Sequence, residues 1–114
     1  MDYLILNQSD ISTASGVREW EGYHFNETDV SLILVDLPPG GGPRLHRHPY
    51  PELFIIHEGQ VRFTVGAATV EACAGQIVIV PEGVAHKFIN VGQGILRQTD
   101  IHVSKKFVTE WLES

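Results

Sequence analysis

The stretch GGGPRLHRHPYPEL, residues 40–53, follows a glycine-rich turn with two histidines one residue apart and a carboxylate four positions further on. If residues 44–48 are extended, the side chains at 44, 46 and 48 share one face, because a strand repeats every two residues. His46 and His48 then point the same way. Glu52 has the same parity, but the prolines of HPYPE predict a turn that delivers Glu52 to the start of the next strand. Further on, PEGVAHKF, residues 81–88, sets His86 just after a Pro-x-Gly turn, at the beginning of another strand. It is the natural fourth member of the group.

Three neutral imidazoles and one carboxylate suit a divalent first-row metal and leave coordination positions open for water or substrate. The plainer reading makes these ordinary strand and loop histidines. That is the default for a lone histidine, but it fits an H-x-H with a nearby carboxylate in a glycine-proline setting less well.

The rest of the chain alternates short apolar runs with turns. DYLILN (2–7), VSLILVDL (30–37), ELFIIHEG (52–59), QVRFTVG (60–66), GQIVIVPEG (75–83), HKFINV (86–91) and ILRQTDIHV (95–103) are rich in Val, Ile, Leu and Phe and are bounded by Gly, Pro, Asn and Asp. This pattern predicts an all-β sandwich or barrel. Gly66, in VGAAT, fits a hairpin turn. In the tail, SKKFVTEWLES (104–114), Phe107, Val108, Trp111 and Leu112 fall at helical spacing and Ser104 is placed to cap, which predicts a short C-terminal helix. Its charges oppose the helix dipole, with Lys105 and Lys106 near the N-terminus and Glu110 and Glu113 near the C-terminus. Such a helix needs to dock on the barrel or on a second subunit.

The two histidine stretches also resemble a known pattern. Gly40, His46, His48, Glu52 and Gly59 match the first cupin motif, and Gly75, Pro81, Gly83, His86 and Asn90 match the second. The chain resembles a small single-domain cupin in its motifs and the strands between them, with metal-binding motifs at 40–59 and 75–90, and residues 1–114 are read as one such domain. The resemblance implies a jelly-roll β-barrel, a metal held by His46, His48, Glu52 and His86, and a homodimer formed through strands and terminal segments. It permits dioxygenase, isomerase or decarboxylase chemistry without choosing among them.

Strand parity nominates the pocket. Phe54 and Ile56 follow Glu52, Phe88 and Asn90 follow His86, Arg44 precedes His46, and Val61, Phe63 and Val65 point inward. Gln98, Asp100 and His102 share a face, which either meets solvent or forms a polar side of the cavity. Arg44, Phe54, Phe63, Phe88 and His102 are thus candidate substrate-pocket residues, with core packing the competing role for the phenylalanines and an exposed rim for Arg44. His57 and His24 are expected on the outside.

Composition limits the partners. The 114 residues are 43% hydrophobic and 19% charged, with a net charge of −6. One domain is expected, and the scattered basic residues form no stripe for a phosphate backbone, which argues against nucleic acid. No apolar run is long enough to span a membrane and the start lacks a basic leader, so a cytoplasmic protein is expected. Cys73, the sole cysteine, reads as a small filler. The expected function is a metal-dependent cupin acting on a small organic substrate, as a dioxygenase with Fe or a Lewis-acid enzyme with Mn, Ni or Zn. A non-catalytic module that senses a metabolite or stores metal is the alternative, and a storage role is disfavoured by size.

Overall fold

The computed structural model describes residues 2–114. Antiparallel strands form two facing sheets. The first has the order β1 (Thr13–Ala14), β2 (Val17–Trp20), β3 (Ser31–Leu37), β10 (Leu96–His102), β5 (Glu52–Glu58), β8 (Ile77–Val80). The second runs β11 (Glu110–Trp111), β4 (His46–Arg47), β9 (His86–Asn90), β6 (Gln60–Val65), β7 (Ala68–Cys73).

The period-2 pattern explains which side chains meet between the sheets. Along β5, Glu52, Phe54 and Ile56 are buried while His57 and Glu58 are exposed. Along β10, Leu96, Gln98, Asp100 and His102 are buried. The apolar core gathers Val35, Leu37, Phe54, Ile56, Val61, Phe63, Val80, Phe88 and Leu96, with Phe54 and Phe63 edge to face at 4.9 Å. This core fills one end of the sandwich, and the other end is polar.

Two glycines hold that polar end. A Cβ on Gly42 would lie 1.9 Å from the Phe88 carbonyl oxygen, so only glycine lets this loop close against β9. Gly83, at φ +76°, makes the turn before β9 and donates its N–H to the His48 carbonyl at 2.8 Å.

Two expected elements are corrected. DYLILN forms no strand: residues 2–7 carry no regular structure, and Tyr3 and Ile5 are exposed. Alternation alone does not make a strand without a partner, and among the described residues this segment pairs with no edge of either sheet. The C-terminal helix is absent too. Residues 104–114 instead run as a strap across β4, with Glu110 opposite Arg47 and Trp111 opposite His46. Main-chain groups that a helix would have paired internally are bonded across the molecule: Leu112 N–H to the Leu45 carbonyl at 2.9 Å and Tyr23 N–H to the Lys105 carbonyl at 3.1 Å. Glu110 pairs with Arg47 at 2.7 Å and Glu113 with Lys87 at 3.1 Å, so the charges misplaced for a helix dipole are matched across strands. Among the described residues no helix is long and apolar enough to cross a membrane.

Candidate metal centre

Register builds the site. In the second sheet His46 on β4 lies directly opposite His86 on β9. In the first, Glu52 on β5 lies directly opposite His102 on β10. The two pairs face each other across the sandwich, and His48 projects from the β4–β5 connection between them. One ligand atom each from His46, His48, Glu52 and His86 lies within 4.8 Å of the others, and all four residues are buried. The sequence expectation that these four converge is thus met by geometry.

Protons decide what the group can hold. His46 Nδ1 lies 2.7 Å from the Arg44 carbonyl, His48 Nδ1 lies 2.9 Å from the Val108 carbonyl, and His86 Nδ1 lies 2.9 Å from the Val84 carbonyl. A carbonyl only accepts, so each Nδ1 carries a hydrogen and each Nε2 is left facing inward. The Nε2 atoms of His48 and His86 lie 3.1 Å from Glu52 Oε1. His86 Nε2 is in hydrogen-bonding geometry with Glu52 Oε1, a bond that needs a proton on that nitrogen, and a divalent cation can take the place of such protons between the imidazoles and the carboxylate. His48 Nε2 is a buried nitrogen with no hydrogen-bond partner. This donor set fits a divalent ion, with main-chain carbonyls in the supporting role usual for metal-bound imidazoles.

Electrostatics agree. Burial pushes the Glu52 carboxyl up, but the imidazoles of His102, His48 and His86 outweigh it and hold Glu52 well below the usual carboxylate range. Burial, opposed only in part by the Arg44 carbonyl, lowers His46 to about 4. Both groups are therefore in the deprotonated form a metal needs at neutral pH.

Around the four lies a second layer. His102 Nε2 is 3.0 Å from Glu52 Oε2, off the axis of a hydrogen bond, and its Nδ1 is 2.7 Å from the Tyr50 hydroxyl. Tyr50 stacks on His48 at 5.0 Å, and its hydroxyl accepts the Val108 N–H at 3.2 Å. Burial raises this phenol to about 12, so it stays protonated. Tyr50 shares the parity of His46, His48 and Glu52, the one signal in the sequence that points to it. Gln98 donates to Asp100 at 2.9 Å, and burial, with the Glu52 charge adding to it, pushes the Asp100 carboxyl well up. The polar face of Gln98, Asp100 and His102 is thus turned inward and buried, not to solvent.

A cavity of about 710 Å³ opens over this floor. Its lining includes His46, His48, Glu52, His102, Asp100 and Phe88, while Phe107, Thr109 and Trp111 of the strap border it. Of the pocket candidates, Phe88 and His102 reach the cavity. Phe54 and Phe63 do not: they are core residues behind His86, with Phe54 and His86 rings 5.9 Å apart. Arg44 is also outside. Regular pairing of β4 begins only at His46, so strand parity does not extend back to Arg44, which is exposed with its guanidinium 4.9 Å over the Trp111 ring. Asn90 is a joint rather than a wall, bonding the Leu37 carbonyl at 3.0 Å and the Gly94 carbonyl at 2.9 Å. His57 bonds Thr99 on the outer face, and His24 is exposed.

Residues 33–102 match the family model described as Cupin domain. An uncharacterized protein of Streptomyces coelicolor is 32% identical over 69 residues, 60% of this chain and 66% of its own. An oxalate decarboxylase of Bacillus subtilis superposes with a TM-score of 0.77 at 26% identity, over 89% of this chain but only 29% of that one. Another structure of that enzyme, concerned with its Mn(II) centers, superposes at 0.77 and 24% identity, over 90% of this chain and 29% of its own. The chain thus spans less than a third of those decarboxylase chains and just under two thirds of the Streptomyces relative.

Proposed function

This chain belongs to the cupin domain family, and on that premise we propose that it is a metal-dependent enzyme acting on a small organic substrate, with residues 1–114 working as one domain. The observation that carries this reading is the set of three imidazoles whose Nδ1 hydrogens are all committed to main-chain carbonyls, leaving their Nε2 atoms clustered with Glu52 within 4.8 Å of one another at the cavity. His46, His48, Glu52 and His86 would hold the ion, a divalent Fe, Mn, Ni or Zn. A divalent ion held by four protein ligands would have room for further oxygen ligands from a small substrate. The bound ion supplies either dioxygen chemistry, as iron, or Lewis-acid polarisation of a substrate oxygen.

The other residues bind, orient and exclude water. Tyr50 orients His102, whose Nε2 lies beside the second oxygen of Glu52, and Phe88 with the strap closes the apolar side of the cavity. Mn(II) in the Bacillus relative supports a divalent ion here without selecting one.

The chain also acts as a homodimer in this reading. Ile77 and Ile79, 60% and 62% exposed on edge strand β8, lie on the outer face of the first sheet, an apolar surface suited to a second copy.

The test is elemental analysis of protein purified without an affinity tag, followed by anaerobic iron loading and oxygen-uptake assays with small catechols, thiols and diketones. Near-stoichiometric divalent metal and substrate-dependent uptake would uphold dioxygenase chemistry. Tightly held zinc or nickel without uptake would shift the reaction to Lewis-acid catalysis or to metabolite sensing, and the absence of bound metal would remove the enzyme reading.

A further inference from the structure

All eight Lys and Arg residues lie outside the cavity lining. Those nearest its mouth are engaged elsewhere: Arg44 over Trp111, Arg47 with Glu110 at 2.7 Å, and Lys87 with Glu113 at 3.1 Å. Arg62, Arg97 and Lys105 are tied to Glu71, Asp36 and Glu27, Arg18 to the Ile11 carbonyl, and Lys106 lies over Tyr23. The acidic groups at the cavity are Glu19, Glu52 and Asp100. Its walls above the floor are Val17, Ile33, Val35, Leu37 and Phe88.

From this arrangement we propose that the cavity takes a neutral or singly charged molecule with an apolar body and two adjacent oxygen donors, such as an aryl-bearing β-diketone or enediol, and discriminates against small dicarboxylates. The inference rests on the metal reading above and narrows it to a substrate class.

A divalent ion with Glu52 as its only anionic ligand presents one net positive charge, enough to compensate one anionic oxygen of a chelating ligand. The second negative charge of a dianion, even with both carboxylates on the ion, would stay uncompensated in a pocket walled by valine, isoleucine and phenylalanine side chains, with Glu19 and Asp100 as the nearby acids. No guanidinium or ammonium is placed to receive it. A small dianion would also leave most of the 710 Å³ to water. An aryl or branched alkyl body fills that volume and gains burial against the apolar wall, while its oxygen pair reaches the ion. Fold similarity to enzymes of oxalate thus does not carry the substrate with it.

The experiment uses the full chain loaded with Co(II), whose visible spectrum reports coordination, titrated in parallel with 1-phenyl-1,3-butanedione, oxalate and malonate. The diketone is expected to perturb the spectrum at a concentration at least tenfold below either dicarboxylate. Ile33→Arg, a half-buried wall position whose longer side chain can reach both cavity and rim, is expected to narrow or reverse that ratio. Dicarboxylate binding as tight as diketone binding in the unmodified chain overturns the inference even if Ile33→Arg does not fold. Failure to take up Co(II) at all overturns the metal reading and the inference with it, and the cobalt spectrum recorded before any ligand is added separates the two failures.

Discussion

The main-chain carbonyl of Val108 accepts the Nδ1–H of His48 at 2.9 Å, across 60 positions of sequence. The N–H of the same residue donates to the Tyr50 hydroxyl at 3.2 Å, which in turn lies 2.7 Å from His102 Nδ1. With its own hydrogen directed to that nitrogen, the phenol leaves His102 the Nε2–H tautomer facing Glu52. Both peptide groups of one strap residue therefore set the proton positions of imidazoles on either side of Glu52.

Removing residues 107–114, or changing Tyr50→Phe, is expected to weaken divalent-metal affinity by roughly ten- to a hundredfold, the usual effect of losing outer-shell partners. Chelator competition measures the affinity, and far-UV circular dichroism checks that the sheets persist. Unchanged affinity in a folded truncation would show that the strap is dispensable to the site.

His86→Ala should lower bound metal several-fold while leaving a folded sandwich, because the side chain lies at the polar end rather than in the apolar core. Elemental analysis per protein chain decides it. Full metal content in this variant would overturn the four-ligand set.

Acid should destabilise the metal-free protein through His46. Its folded value of about 4 lies below the ordinary 6.5, so the unfolded chain binds the proton more readily. The stability is complete above pH 6.5 and is lost progressively as pH falls toward 4. Urea midpoints taken across that interval should slope less steeply in His46→Gln, and equal slopes would contradict the assignment.

Asp100 behaves in the opposite sense. Its folded value is raised, chiefly by burial, so at neutral pH the unfolded chain gains by ionising while the folded chain does not. Its contribution opposes folding above the ordinary carboxylate range and fades in acid. Asp100→Asn should therefore be more favourable, relative to the unmodified protein, at pH 8 than at pH 4, as read from Tm. A pH-independent difference would refute this.

Ile77→Lys combined with Ile79→Lys is expected to give monomers by light scattering, measured beside the unmodified chain. A dimer unaffected by both charges would place the interface elsewhere.

The metal cluster was legible in the sequence because its geometry is largely local. H-x-H and the later glutamate share strand parity, and the Pro-x-Gly turn places His86 at the first residue of β9. Parity failed for Arg44 because the strand had not yet begun there. It also missed β7, whose residues are exposed save Ala72 and so carry no clear alternation. His102 was visible only as one of two possibilities, inward or outward, since a period of two identifies a face without saying which side the second sheet occupies.

The tail marks the boundary most clearly. Phe107, Val108, Trp111 and Leu112 satisfy a helical spacing, yet the segment is extended, because Arg47, Lys87, Leu45, His48 and Tyr50 supply partners that no local pattern encodes. Strand periodicity and ligand spacing arise from neighbours a few residues apart, so the chain alone specified an all-β fold and the identity of the four clustered residues. Tautomers, the inward turn of His102, the exclusion of every cation from the cavity and the course of the strap depend on groups brought together from distant positions, and only the packing of one sheet against the other decided them.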